Sequence, residues 1–381
     1  MQTVVRKRTL QKSSRHGMSS SNSSRVYNFS AGPSALPLEV LDSIRADLPD
    51  WQGTGMSVME ISHRSAEFIE LAARCEANVR ELLAVPDGYS VLFPQGGATL
   101  QMSMVPMNLA AAGEAADYVV TGSWSKKAAA EAQKFCDSRV IADASDQNFT
   151  CIPDAASWLR SDEAAYLHYT PNETIAGVEF HFVPDSDVPL IADMSSTIFS
   201  RPIDVSKFGV IYAGAQKNIG PAGITLVIVR NDLLAHAPAD IAHLMTWRAY
   251  AESDSMTNTP PTFAWYVADL VLQWLKRQGG LEAIAAINQR KAGKLYSAID
   301  ASDFYSNPVR KDCRSWMNVP FILADAWLDA QFLEESKAAG LTNLKGHRSV
   351  GGMRASIYNA VTESAVDALV EFMSEFEKNK G

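Results

Sequence analysis

Residues 188–229 read VPLIADMSSTIFSRPIDVSKFGVIYAGAQKNIGPAGITLVIV, and this stretch decides the fold class. It holds three short apolar runs, Val188–Asp193, Val210–Ala213 and Gly223–Val229. They are rich in Ile, Val and Leu with little polar alternation, the pattern of strands buried on both faces. The first two lead into turns of small and polar residues that carry Asp193 and Lys217. Upstream the same unit recurs. Tyr89–Phe93 reads as a strand, followed by Gln95-Gly96-Gly97 and a helix from about Ala98. Asp117–Thr121 reads as another, followed by Gly122 and a helix from about Trp124, and Ala165–Tyr169 is a further buried run. Strands alternating with helical stretches predict an α/β fold with a mostly parallel central sheet flanked by helices.

The pattern changes after the amphipathic stretch Thr262–Gln278, whose Phe263, Val267, Leu270, Val271 and Trp274 share one face and which Gly279-Gly280 stops. From there, long helices flank isolated strands near Ser315–Leu323 and Met353–Tyr358. A last helix from about Thr362 stripes Val366, Leu369, Val370, Met373 and Phe376. We therefore expect a large domain over residues 42–280 and a smaller α+β domain built from 27–41 and 281–381.

Composition narrows the function. The 381 residues are 47% hydrophobic and 20% charged, as in ordinary soluble chains, and no apolar run approaches the roughly 20 residues of a membrane helix. The net charge is −9, and no long basic face offsets it, so nucleic acid and membrane are not expected partners. An anionic ligand has to be captured by local cations. Residues 1–26 carry six Lys/Arg, seven Ser and no acid. That composition fits a disordered tail, an overlong start ahead of Met18, or an organelle transit peptide; the first is the expectation. Cys75, Cys136, Cys151 and Cys313 are scattered with no C-x-x-C pair, which argues against zinc and a disulfide framework. Buried thiols in a reducing cytoplasm are expected, and no metal.

Four constellations bear chemistry. Gly96-Gly97-Ala98-Thr99 lies between a strand and a helix, where glycines admit close approach and the helix start offers free N–H groups to a phosphate; such glycines are also common in plain turns. Asp193 ends one apolar strand and Lys217 follows another, at the ends where an open α/β sheet forms its ligand crevice. A carboxylate there can pair with a pyridinium nitrogen, and a lysine of lowered pKa can bond an aldehyde; a cap carboxylate and a surface lysine have the same spacing. His63-Arg64, His347-Arg348 and Arg354 are cationic spots suited to carboxylate or phosphate, or solvated residues paired with acids such as Glu67. Trp124 could stack on a planar ring, although such aromatics more often pack a core.

These pieces occur together in one family. Phe29–Pro33 (FSAGP), Ser57–Arg64 (SVMEISHR), Ala164–Gly177 (AAYLHYTPNETIAG), Ser195–Val205, Gly209–Gly223, Asn258–Phe263 (NTPPTF) and Lys345–Ala360 closely resemble the phosphoserine aminotransferase family. Its members are class V, fold-type I enzymes dependent on pyridoxal 5'-phosphate. The likeness runs from Tyr27 to the end. It implies that Lys217 bonds the cofactor and shuttles the substrate proton. It also implies that Asp193 pairs with the ring nitrogen, that Trp124 stacks, and that Ala98, Thr99, Thr174 and Gln216 bind cofactor. Asn258 and Thr259 match residues reaching the cofactor from a neighbouring subunit, which implies a homodimer with shared sites. Arg354 matches the holder of the substrate α-carboxylate. His63, Arg64, His347 and Arg348 match the group receiving the distal phosphate or carboxylate. The implied reaction is reversible transfer of the amino group from L-glutamate to 3-phosphohydroxypyruvate, giving O-phospho-L-serine and 2-oxoglutarate in serine biosynthesis. Some members also transaminate the phosphorylated threonine-like ketoacid of vitamin B6 (pyridoxine) synthesis. Thr257 stands where the family pattern leads us to expect an aromatic. The rival readings are another class V transaminase, a cysteine desulfurase and a silent ligand-binding scaffold. Cys313 lies outside the loop a desulfurase needs, and both Lys217 and Asp193 are present, against the scaffold.

Overall fold

Seven strands form one sheet in the computed structural model, which describes residues 25–238 and 240–381. In chain order they are β1 (Tyr89–Leu92), β2 (Ala115–Val120), β3 (Asp137–Asp143), β4 (Ala164–Tyr169), β5 (Leu190–Asp193), β6 (Val210–Gly214) and β7 (Thr225–Arg230). Their order across the sheet is β1-β7-β6-β5-β4-β2-β3. β7 is antiparallel to β1 and β6, and the remaining pairings are parallel. Six strands therefore run the same way, and their C-terminal ends share one edge.

Each buried strand feeds two cores, because successive side chains point to opposite faces. Ile211 and Ala213 join one apolar cluster, while Val210 and Tyr212 join the other. Helices Ala66–Leu83 and Thr262–Arg277 supply the first cluster; Gly97–Leu109, Ser123–Ala132 and Trp247–Ala251 supply the second. β3 was not foreseen in the sequence. It is an edge strand with mostly half-exposed or exposed side chains, so it lacks an apolar run.

A third cluster joins Phe29 to residues from Ala292 to Phe376. It lies between helices Gly280–Asp300, Asp329–Ala338 and Glu363–Lys380 and an antiparallel sheet of Tyr305–Ser306, Asn318–Leu323 and Met353–Ser356. Tyr27–Asn28 pairs in parallel with Leu341–Thr342. Helix Gly280–Asp300 bridges the clusters: Leu281 and Ile284 pack in the first, Leu295 and Ile299 in the third. On this helix Lys291 is fully buried and its ammonium donates to the carbonyls of Ile357, Tyr358 and Val361 at 3.0, 2.8 and 2.9 Å.

The four cysteines are buried and free. Among the described residues no helix is long and apolar enough to cross a membrane. The basic tail falls, up to residue 24, outside the described residues.

Candidate active site

Five strand ends converge on one cavity of about 120 Å³. After β1, the chain turns through Gly96 and Gly97, both with positive φ, 89° and 65°. A Cβ at Gly96 would sit 2.5 Å from Leu100, so this tight turn needs glycine. Helix Gly97–Leu109 then starts at the cavity, where the N–H groups of Gly97, Ala98 and Thr99 have no acceptor among the described residues. The positive end of that helix is open to an anion.

Asp193 closes β5 and is 5% exposed. Its Oδ1 accepts from the N–H and hydroxyl of Ser195 at 3.0 and 2.5 Å, whereas Oδ2 has no protein donor. Burial pushes its pKa up; Ser195 and the Lys217 charge pull the other way. Lys217 follows β6, and its ammonium donates to the Thr174 hydroxyl at 2.6 Å. Burial brings its pKa down to about 8, against the pull of Asp193 and Glu173, and Arg354 adds to the lowering. The Lys217 nitrogen lies 5.9 Å from the Trp124 ring centre. Thr99, Thr174 and Gln216 line the same cavity.

Arg354, on strand Met353–Ser356, is not among the residues lining the cavity but adjoins it, donating to the Thr174 carbonyl at 3.2 Å. The remaining predicted cations lie elsewhere. His63, with Arg64 3.4 Å from its ring, and His347, bonded to Ser349, sit in loops, and neither pair lines the cavity. Among the described residues Arg64, Arg348 and Arg354 have no ion pair, so the alternative of an Arg64–Glu67 pair is not realised. Asn258 and Thr259 also lie outside the cavity lining, although the Thr259 carbonyl accepts from Gln95 beside the glycine turn at 3.3 Å. Thr257 is bonded to His243 at 2.8 Å.

Sequence reasoning missed Thr170, Asn172, Ser195 and Ser196, which also line the cavity. Ser195-Ser196, two and three residues after Asp193, was a usable signal; Asn172 carried none, because its partner Asn318 is 146 residues away.

The donor set fits pyridoxal phosphate. An unmatched carboxylate oxygen on a residue facing the cavity suits a protonated ring nitrogen, an open helix start suits the phosphate, an indole suits the ring face, and an amine of lowered pKa suits the aldehyde.

The class-V aminotransferase family model matches residues 26–369. The chain is similar to the phosphoserine aminotransferase of Hahella chejuensis, 60% identical over 353 residues, 92% of this chain and 98% of that one. It is 56% identical to that of Acidithiobacillus ferrooxidans over 358 residues, 93% and 99% of the two chains. Among solved structures, phosphoserine aminotransferase from Bacillus circulans subsp. alkalophilus superposes with a TM-score of 0.92 at 48% identity, covering 94% of this chain and 100% of that one. The pyridoxal-phosphate-bound enzyme of Trichomonas vaginalis gives 0.88 at 42%, covering 92% and 100%.

Proposed function

The chain belongs to the class-V aminotransferases, and from that premise we propose how its residues carry phosphoserine transamination. The enzyme is a pyridoxal-phosphate-dependent transaminase. Its reaction is reversible transfer of the amino group of L-glutamate to 3-phosphohydroxypyruvate, giving O-phospho-L-serine and 2-oxoglutarate. The observation that carries the residue assignment is the meeting of Asp193 and Lys217 in one cavity.

When bound, pyridoxal phosphate supplies an electron sink for the bonds of the substrate Cα. Asp193 holds its ring nitrogen, Trp124 its ring face, and Gly97 to Thr99 its phosphate. Thr174 and Gln216 complete the cofactor cradle. Lys217 moves the proton to and from the substrate Cα, a task suited to an amine whose pKa of about 8 lies near working pH. Arg354 binds the substrate α-carboxylate. His63, Arg64, His347 and Arg348 receive the distal phosphate or carboxylate; both are compact anions that an arginine fork matches. Asn258 and Thr259 serve a neighbouring subunit's cofactor in a homodimer. The chain works in the cytoplasm, and the vitamin B6 ketoacid is a second substrate of the same site. The division into residues 42–280 and 27–41 with 281–381 belongs to the same proposal, supported by the separate third cluster.

An absorbance scan tests the core of this reading. Protein supplied with pyridoxal phosphate should show a band at roughly 410 nm that glutamate shifts to shorter wavelength. Lys217→Ala should lack that band. A wild-type protein that binds no pyridoxal phosphate overturns the reading. For the substrate, Arg64→Ala should raise KM for the phosphorylated ketoacid about ten-fold or more, the loss of one charged hydrogen bond; equal rates with pyruvate would remove the phosphate-reading role.

A further inference from the structure

Helix Ser123–Ala132 starts at Gly122, which has no side chain to cap it. Two of its first N–H groups are nevertheless paired, and the acceptor is 49 residues from Trp124 in the chain. Trp124 N–H donates to Glu173 Oε2 at 3.0 Å, Ser125 N–H to Oε1 at 2.8 Å, and the Ser125 hydroxyl to Oε1 at 2.6 Å. Glu173 is fully buried. Burial pushes the Glu173 pKa up, and its three hydrogen-bond donors pull the other way and favour the ionised carboxylate, as does a helix start. Gly122 fits the same arrangement: a Cβ there would lie 2.3–2.5 Å from the Glu173 side chain.

Two helix starts face the cavity, and this carboxylate closes one of them. The N–H groups at Gly97 to Thr99 stay open, so an incoming phosphate meets one site and not two. The neighbours of Glu173 matter equally. Thr174 takes the Lys217 ammonium on its hydroxyl and Arg354 on its carbonyl, while Asn172 donates to Ser196 and Asn318. One tripeptide thus ties the backbone of Trp124, the lysine and the arginine together.

We propose that Glu173 is a positioning residue of this enzyme: it stands in for the missing helix cap, fixes the Trp124 indole against the cavity, and lends its charge to the Lys217 amine. The inference rests on the function proposed above. The charged groups acting on that amine are Asp193 and Glu173, which hold its proton, and Arg354, which opposes it.

The test uses the full chain, with Glu173→Gln, which keeps size and loses charge, and Gly122→Ala, which displaces the carboxylate from the helix side. Three quantities are measured: the pyridoxal phosphate dissociation constant on rebinding to apoenzyme, the pH midpoint of the visible band, and the melting temperature of the apoenzyme. Glu173→Gln should bind cofactor roughly ten-fold more weakly, the scale of a lost cap, and its midpoint should move to lower pH. Gly122→Ala should weaken binding with a smaller midpoint change. A folded Glu173→Gln protein with wild-type dissociation constant and midpoint overturns the proposal, even if it melts lower, because Glu173 is then only a structural cap. If Glu173→Gln does not fold, Gly122→Ala and Glu173→Asp decide: wild-type cofactor binding in both overturns the proposal. Failure of the wild type to bind pyridoxal phosphate would instead sink the functional reading itself.

Discussion

At Lys217, burial and charge pull in opposite directions. The desolvated surroundings favour the neutral amine, and Asp193 and Glu173 favour the ammonium; the balance falls at about pH 8. Only the neutral form attacks an aldehyde. The rate at which apoenzyme takes up pyridoxal phosphate should therefore rise between pH 7 and 9, with a midpoint near 8, and then level off. Asp193→Asn removes a charge that holds the proton, so it should move that midpoint down. Stopped-flow absorbance measures both, and a flat rate across this window contradicts the assignment. Both residues were legible in the sequence because Asp193 ends one apolar run and Lys217 follows another, and strand ends in this fold class face the ligand. Glu173 and Asn172 were not legible. Each is a polar residue in a short polar stretch after Pro171, and its meaning lies in partners 48 and 146 positions away.

Among the elements, the five strands of the sheet centre were readable because burial on both faces leaves an uninterrupted apolar run. The reversal of β7 was not readable, since a buried strand has the same composition in either direction. Its short connection from β6 is compatible with antiparallel pairing, whereas parallel strands need a crossover of a dozen or more residues. Arg354 was readable only through the family likeness, because its approach depends on how strand Met353–Ser356 meets Thr174. The joint between the clusters depends on helix Gly280–Asp300. Lys291→Met keeps the length of that side chain but leaves the carbonyls of Ile357, Tyr358 and Val361 without their donor. We expect a loss of about 3 kcal/mol, from unsatisfied buried acceptors, read as a lower denaturant midpoint. The visible band of the folded fraction should be unchanged, since Lys291 contacts no cavity residue.

For the whole molecule, the acidic balance is compatible with anionic substrates because binding is local. Outside residues 1–26 the chain has 28 basic and 43 acidic residues, yet Arg354 adjoins the cavity without an ion pair and Arg64 and Arg348 are likewise uncommitted among the described residues. The homodimer with shared sites proposed above makes a quantitative forecast. Lys217→Ala and a double Asn258→Ala, Thr259→Ala variant should each be inactive alone. Mixed, unfolded and refolded together, random pairing puts both defects into one site of each hybrid and leaves the other intact, so about a quarter of wild-type activity should return. No recovery, in hybrids verified by mass, would place Asn258 and Thr259 in service of their own chain's site.

The pairing of Tyr27–Asn28 with Leu341–Thr342 has a consequence for how the protein is made. The hydroxyl of Thr342 bonds the carbonyl of Tyr27 across 315 positions, and the buried residues that share a cluster with Phe29 all lie from Ala292 onward. A ribosome adds roughly 5–20 residues per second. Tyr27 and Asn28 therefore wait at least about 15 seconds for their partners, and the seven-stranded sheet, which ends at Arg230, is synthesised before that wait is over. During that interval Phe29 lacks the late residues of its cluster, and the nascent chain carries an aromatic that only the last third of the sequence can cover.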